Sequence, residues 1–322
     1  MQMHVLLCSH NGEKYIAAQI QSIQQQHLAV DHIHIYDFSS TDRTLEIIQH
    51  LASQDTRLHV HSGIPALGAE ASFNSAIRAI SDQVAADDCI FLADQDDIWC
   101  PEKTQHVHTY FTQRIGQHPK ILLAHDVQIV DAQLAPLAST FYSGDPYAIP
   151  RDLMPQRMLL CNPLIGHTMA LSGALLQFIA QHVQAGKYLM HDWSISLLAA
   201  RYGHIYFLQG QHLSLYRQHE KNIIGTHKRL SFCEKLKRTY TFSQKLIHQS
   251  QSFARDIIKI DALQPPVGCT FERLKKIVAQ PQQDWRIYPY LISVSFKTGP
   301  TLKRKMLAVF FLVLWLRATT KI

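Results

Sequence analysis

Four short apolar runs in the first hundred residues, at 5–8, 32–36, 57–61 and 89–93, constrain this chain more than any other feature. The first three are each followed by a polar turn and then by apolar residues at helical spacing: Tyr15, Ile16, Ile20 and Ile23, then Leu45, Ile48 and Leu51, then the segment 72–80. Strands that alternate with helices in this way form βαβ units and pair as a parallel sheet. The turns after strands one, two and four then face one crevice, the place where open α/β sheets bind ligands.

The fourth run ends in acid: Phe91-Leu92-Ala93-Asp94-Gln95-Asp96-Asp97-Ile98-Trp99. Carboxylates this close repel, and their clustering costs stability unless something positive sits among them. Oxygen-only ligands suit Mg²⁺ or Mn²⁺, which are commonly held by one or two carboxylates and the phosphates of a substrate. The plainer alternative is an acidic turn that caps the helix starting near Pro101, with Asp97 as the cap. Spacing alone leaves both open. No GxGxxG follows the first strand and no GxxxxGK[ST] occurs, so neither a dinucleotide Rossmann site nor a P-loop is supported.

Hydrophobic residues make up 47 % of the 322, enough for a large core. Cys8, Cys89, Cys100, Cys161, Cys233 and Cys269 are scattered with no CxxC pair, which argues for a reducing compartment and against a zinc or disulfide framework. The first residues read as a strand and not as a signal peptide. The 20 histidines form no HExxH set, and His32/His34 and His59/His61 alternate as strand residues do. Charge is uneven: residues 1–225 carry 13 Lys and Arg against 20 Asp and Glu, whereas residues 226–322 carry 18 against 5. A basic tail of this kind meets something anionic or forms a solvated helical face.

Three motifs carry a resemblance: Ser9-His10-Asn11-Gly12-Glu13-Lys14-Tyr15, Asp37-Phe38-Ser39-Ser40-Thr41-Asp42-Arg43-Thr44 and Asp94-Gln95-Asp96-Asp97-Ile98-Trp99. In order and spacing they resemble the family 2 glycosyltransferases of the GT-A fold, in the rhamnosyltransferase-like branch that builds bacterial surface polysaccharide. Further segments match: Ile121-Leu122-Leu123-Ala124-His125-Asp126, Asn162-Pro163-Leu164-Ile165-Gly166-His167-Thr168-Met169-Ala170 on the acceptor side, His191-Asp192-Trp193, and Leu215-Tyr216-Arg217-Gln218-His219-Glu220-Lys221-Asn222. The resemblance covers roughly residues 4–225. It implies a catalytic domain over 1–225 with a mostly parallel, mixed sheet flanked by helices, and a basic helical extension over 226–322.

The resemblance also implies roles. Asp96 and Asp94 hold Mn²⁺ or Mg²⁺. Ser9, Asn11, Asp37, Asp94, Arg217 and His219 face the nucleotide-sugar donor. Asp192, at a helix start, deprotonates the acceptor hydroxyl, its plain alternative being a helix cap. The family inverts the anomeric carbon, and its acceptors in such pathways are lipid-linked glycans, with no role for nucleic acid. One departure stands at Phe38, where the family usually carries an acid that contacts the base: either Phe38 stacks on the base or Asp37 takes over the hydrogen bond. His125 and Asp126 either bind acceptor or pair structurally, and Trp99 and Trp193 either stack on sugar or fill core.

Beyond about residue 231 the α/β pattern fades. Lys303-Arg304-Lys305 is followed by eleven apolar residues from Met306 to Leu316, then Arg317. As a helix these span only about 16 Å, half a bilayer core, so they do not cross a membrane. A cation-flanked apolar helix with Trp315 lies in an interface, which places the protein at the cytoplasmic face of a membrane; the alternative is a helix packed on the catalytic domain. Two rivals to the enzyme reading are a degenerate nucleotide- or glycan-binding module of the same fold and a sugar-nucleotide pyrophosphorylase, the latter needing a Gly-rich loop that Cys8-Ser9-His10-Asn11-Gly12 does not supply.

Overall fold

The computed structural model describes residues 1–142, 153, 158–184, 186–220, 232–264, 266, 271–279, 287–297 and 311. The expected alternation is present: β1 (Met3–Ser9), α1 (Ile16–Gln24), β2 (His32–Asp37), α2 (Thr44–Ala52), β3 (Leu58–His61), α3 (Ala69–Ile80) and β4 (Cys89–Ala93). There follow β5 (Ile98–Trp99), α4 (Lys103–Ile115), β6 (Ile121–Val130), β7 (Pro136–Ala138), β8 (Ala170–Ser172), α5 (Gly173–His182), α6 (His191–Tyr202) and β9 (His204–Arg217). The C-terminal part contributes α7 (Phe232–Asp261), α8 (Glu272–Val278) and α9 (Ile287–Lys297).

The strands form one mixed sheet in the order β3-β2-β1-β4-β8-β6-β9-β5, with β7 on β6. β3, β2, β1 and β4 are mutually parallel, as are β6 and β9, whereas β8 runs antiparallel between β4 and β6. Successive strand residues alternate between the sheet's faces. Leu6, Ile90, Leu92 and Leu122 pack against α3, α5 and α6. Val5, Leu7, Phe91 and Leu123 pack against Ile20 and Ile23 of α1, Ile48 of α2 and Val107 and Phe111 of α4.

The expected boundary near residue 225 lies outside the described residues. On its far side, Leu246, Phe253 and Ile257 of α7, Leu274 of α8 and Leu291 of α9 belong to the same apolar cluster as Leu176 and Leu197 of α5 and α6. Polar joints reinforce this. Arg201 is fully buried and forks onto Asp261, where Tyr202 Oη also donates at 2.6 Å and Lys275 Nζ at 2.5 Å. Of the apolar run at 306–316 only Phe311 is described, and it is buried in this cluster; the rest of that segment lies outside the described residues. No described helix is long and apolar enough to cross a membrane.

The histidines on the edge strands gather on one face. Parallel register sets His4 opposite His32 and His34 opposite His59. His4 Nδ1 lies 3.2 Å from His34 Nε2, and His32 Nδ1 lies 3.0 Å from His59 Nε2. The nearby acid is Asp88, 3.4 Å from His4 Nε2. Burial, then neighbouring imidazoles, push His34 down to about 3 and lower His59 and His61; burial also lowers His4 in spite of Asp88. A histidine depressed in the folded state favours folding only while it is neutral. Its contribution is full above the unfolded value near 6.5 and is lost as pH falls below it. For His34 alone this amounts to about 3 kcal/mol between pH 7 and pH 4. Urea unfolding across that range is expected to give a flatter pH profile for His34→Gln than for wild type, and equal slopes would show that this array is not the titrating element.

Candidate active site

The turns after β1, β2 and β4 lie side by side because their strands are adjacent and parallel. The first two are clasped together. Asn11, at φ 49°, accepts from Thr41 N at 2.8 Å through its side-chain oxygen and donates its own backbone N–H to Ser40 Oγ at 2.9 Å. Gly12 N donates to Thr44 Oγ1 at 2.8 Å. The third turn locks onto the first through Gln95, whose side-chain amide pairs with both backbone groups of His10 at 2.9 and 3.0 Å. Gly12 is required there, since a Cβ on it would stand 2.3 Å from Gln95 Oε1.

These turns floor a cleft of about 1060 Å³. Ser9, Asn11, Asp94, Asp96 and His219 line it, and Ile165, Gly166 and Asp192 form part of its wall. Burial pushes Asp94 up to about 7; His167 works against this, and the charges of Asp97, Asp96 and Asp192 add to it. Among the described residues no group donates a hydrogen bond to Asp94. Asp96 accepts from His219 Nε2 at 2.7 Å, and the His219 ring stacks on Tyr15 at 4.9 Å. The described residues contain no cluster of three or more His, Cys, Asp and Glu able to hold a metal by itself. A partly buried carboxylate without a donor, held among like charges, nevertheless suits a divalent cation that takes its remaining ligands from a phosphorylated substrate.

Asp192 sits in the first turn of α6 but does not cap it; the cap position is Met190. Burial raises its carboxyl to about 6, while hydrogen bonds from the Asn162 side chain and from the backbone of Trp193 and Gly166 pull the other way. Gly166 permits this approach, since a Cβ there would meet His191 Nε2 at 2.6 Å. The segment leading to Asp192 is pinned from two sides. Glu70 of α3 accepts from the N–H groups of Gly186 and Tyr188. From α7, Asp256 receives Lys187 Nζ and Tyr188 Oη, and Gln249 Oε1 receives Leu189 N at 2.9 Å.

Beneath the acidic turn lies a buried support built on Asp97, His167 and Lys103, of which only Lys103 went unnoticed in the sequence. Asp97 is fully buried, accepts Arg217 N at 3.1 Å and stands 3.0 Å from His167 Nδ1. Burial alone would lower the His167 imidazole, but Asp97 and Asp94 outweigh it and raise it. Lys103 is fully buried, which pushes it down to about 7. Its Nζ donates to His167 O at 2.9 Å and lies 3.9 Å from the Trp99 ring. Asp97 is therefore neither a helix cap nor a cleft ligand.

Other expected residues sit behind the lining. Asp37 is 1 % exposed, with its oxygens taken by Ser9 Oγ, Ser40 N and Ser40 Oγ. Arg217 donates to Asp96 O and Ala132 O, both at 2.8 Å, and so braces the acidic turn from below. Phe38 is buried yet borders the cleft. His125 and Asp126 form a structural pair away from the cleft: His125 bonds Asp126 O, and the Asp126 carboxylate accepts from Val127 N and Thr140 Oγ1. Trp99 and Trp193 are core residues, with Trp193 Nε1 donating to Met158 O.

Residues 4–116 match the profile of Glycosyl transferase family 2. Those residues carry a family 2 glycosyltransferase domain. The chain is 27 % identical over 167 residues to an uncharacterized glycosyltransferase of Haemophilus influenzae, a match covering 51 % of this chain and half the length of that relative. It is 25 % identical over 249 residues to the dTDP-rhamnosyl transferase RfbG of Shigella flexneri, covering 72 % of this chain and 77 % of RfbG. In fold it resembles S. aureus TarS 1–349 in complex with UDP-GlcNAc, with a TM-score of 0.52 at 16 % identity, over 93 % of this chain and 82 % of that one. This likeness establishes the GT-A-type mixed sheet.

Proposed function

We propose that the chain is an inverting, metal-dependent glycosyltransferase that moves a sugar from a nucleoside diphosphate to a growing, lipid-linked surface glycan. The observation that carries the reading is the sharing of one cleft by the Asp94/Asp96 pair and Asp192. Asp94 and Asp96 would hold Mn²⁺ or Mg²⁺. Bound there, the cation supplies positive charge against the donor diphosphate. His219, hydrogen-bonded to Asp96, orients that carboxylate. Asp192, whose carboxyl burial raises to about 6 and which lines the same cleft, takes the proton of the acceptor hydroxyl as it attacks the anomeric carbon from the face away from the diphosphate. The Ser9–Asn11 turn receives the nucleotide, and Phe38 forms the wall behind it.

The likeness to a dTDP-rhamnosyl transferase supports rhamnose as the donor sugar and dTDP as its carrier. A lipid-linked acceptor places the enzyme at the cytoplasmic face of a membrane, with the basic C-terminal part toward that surface. Thermal stabilisation by a panel of nucleotide sugars, with and without Mn²⁺, tests the donor. dTDP-rhamnose is expected to give the largest shift, and only with the metal. Stabilisation without any transfer to an acceptor would favour a binding module instead.

A further inference from the structure

Helix α7 has two chemically distinct sides. Lys237, Arg238, Lys245, Arg255 and Lys259 are exposed. At 3.6 residues per turn they fall within an arc of about 100°, along roughly 33 Å of helix axis. The acids of the same helix are spent elsewhere. Asp256 is buried against Lys187 and Tyr188, and Asp261 holds Arg201, Tyr202 and Lys275, which leaves only Glu234 exposed. Among the described residues no carboxylate pairs with any of the five cations. Glu234, near the N-terminal end of the same arc, is the one exposed acid of the helix against these five cations, so this side of α7 carries a net positive charge.

We propose that this face of α7 docks on the anionic headgroups of a lipid bilayer. The inference rests on the membrane placement proposed above and names the surface that makes it; its test requires neither donor nor acceptor, so it fails or holds separately from the catalytic reading. Two observations favour a bilayer over a nucleic acid. The exposed part of the arc is completed by Glu234, Thr241, Gln244 and His248 and offers no Tyr, Phe or Trp on which bases would stack. Residues 1–225 carry an acidic excess that opposes a long polyanion wrapping the protein, whereas a planar surface meets one face only. Because the inner side of α7 holds residues 187–189 through Asp256 and Gln249, the docked helix also supports the segment that carries Asp192.

The test is flotation of the full chain with phosphatidylcholine vesicles, with and without phosphatidylglycerol. Wild type is expected to bind only the anionic vesicles and to release in high salt, which shortens the screening length to about 3 Å at 1 M. Each cation near such a surface is worth about fivefold in partitioning, so Lys245→Gln/Arg255→Gln/Lys259→Gln should weaken binding about a hundredfold. Thermal melting and donor hydrolysis should stay unchanged, because these side chains are exposed and lie outside the cleft. Lys237→Gln/Arg238→Gln provides an independent second variant. The proposal is overturned if wild type ignores the anionic vesicles, if both variants bind as wild type does, or if duplex DNA binds as tightly as phosphatidylglycerol. Loss of binding only on deletion of residues 303–322 would overturn it too and move the contact to that segment.

Discussion

Asp192→Asn is expected to cut sugar transfer about a thousandfold while leaving donor binding within a factor of about two. General-base catalysis contributes roughly 10²–10⁴ in rate, and an amide of the same shape cannot take the proton. The substitution preserves packing: Asn162 and the backbone around Gly166 and Trp193 still have an oxygen to bond. Donor binding survives because, in the proposed reading, Asp192 serves the acceptor and not the diphosphate. The pH profile gives an independent reading. Burial holds Asp192 at about 6, so the base is ionised at neutral pH and gains its proton as pH falls through that value. Wild-type kcat is expected to decline on the acid side of pH 6, and the residual activity of the Asn variant to lack that limb. Isothermal titration with the nucleotide separates the two effects; lost nucleotide binding would mean that Asp192 belongs to the donor side.

The residues that became legible from sequence are those whose signal is local. β1 to β4 and the helices between them follow from apolar spacing, since β1, β2 and β4 are buried on both faces, β3 lies half-buried at the edge, and each helix buries one face. The acidic turn stands out because three carboxylates in four residues demand an explanation. What stayed hidden depends on pairing across the chain. β8 is three residues long and carries no period, yet it reverses the sheet between β4 and β6. Lys103 reads as an ordinary helix lysine, and only the fold buries it under Trp99 and His167. Asp37 and Arg217 were expected at the donor because their motifs are; the structure shows Asp37 tying two turns together and Arg217 bracing a third. Gln95 lay inside the motif without a role. Its amide is the joint that sets the acidic turn against the first, and the neighbouring Gly12 was the available clue. α7 looked like an appendage by composition, but its inner face completes the core and holds the segment before Asp192.

Asp96→Asn should abolish the metal dependence of donor binding and lower kcat/KM about a thousandfold, equivalent to roughly 4 kcal/mol of lost charge stabilisation. The change removes one oxygen anion and keeps the side-chain volume, so folding should be little affected at this partly exposed position. Asp94 cannot replace it. Burial and the charges of Asp97, Asp96 and Asp192 hold its carboxyl near 7, so at neutral pH it is only partly ionised and by itself binds a cation weakly. A bound cation favours the ionised form, so Mn²⁺ binding in the presence of nucleotide should release a proton and weaken as pH falls below 7. Titration calorimetry in two buffers of different ionisation enthalpy reads that proton directly. Wild type is expected to release a fraction of a proton near pH 7. If instead Asp96→Asn bound nucleotide with undiminished response to Mn²⁺, the carboxylate pair would be a structural acidic turn, and the leaving diphosphate would have to be met by His219 and the protein's own amides.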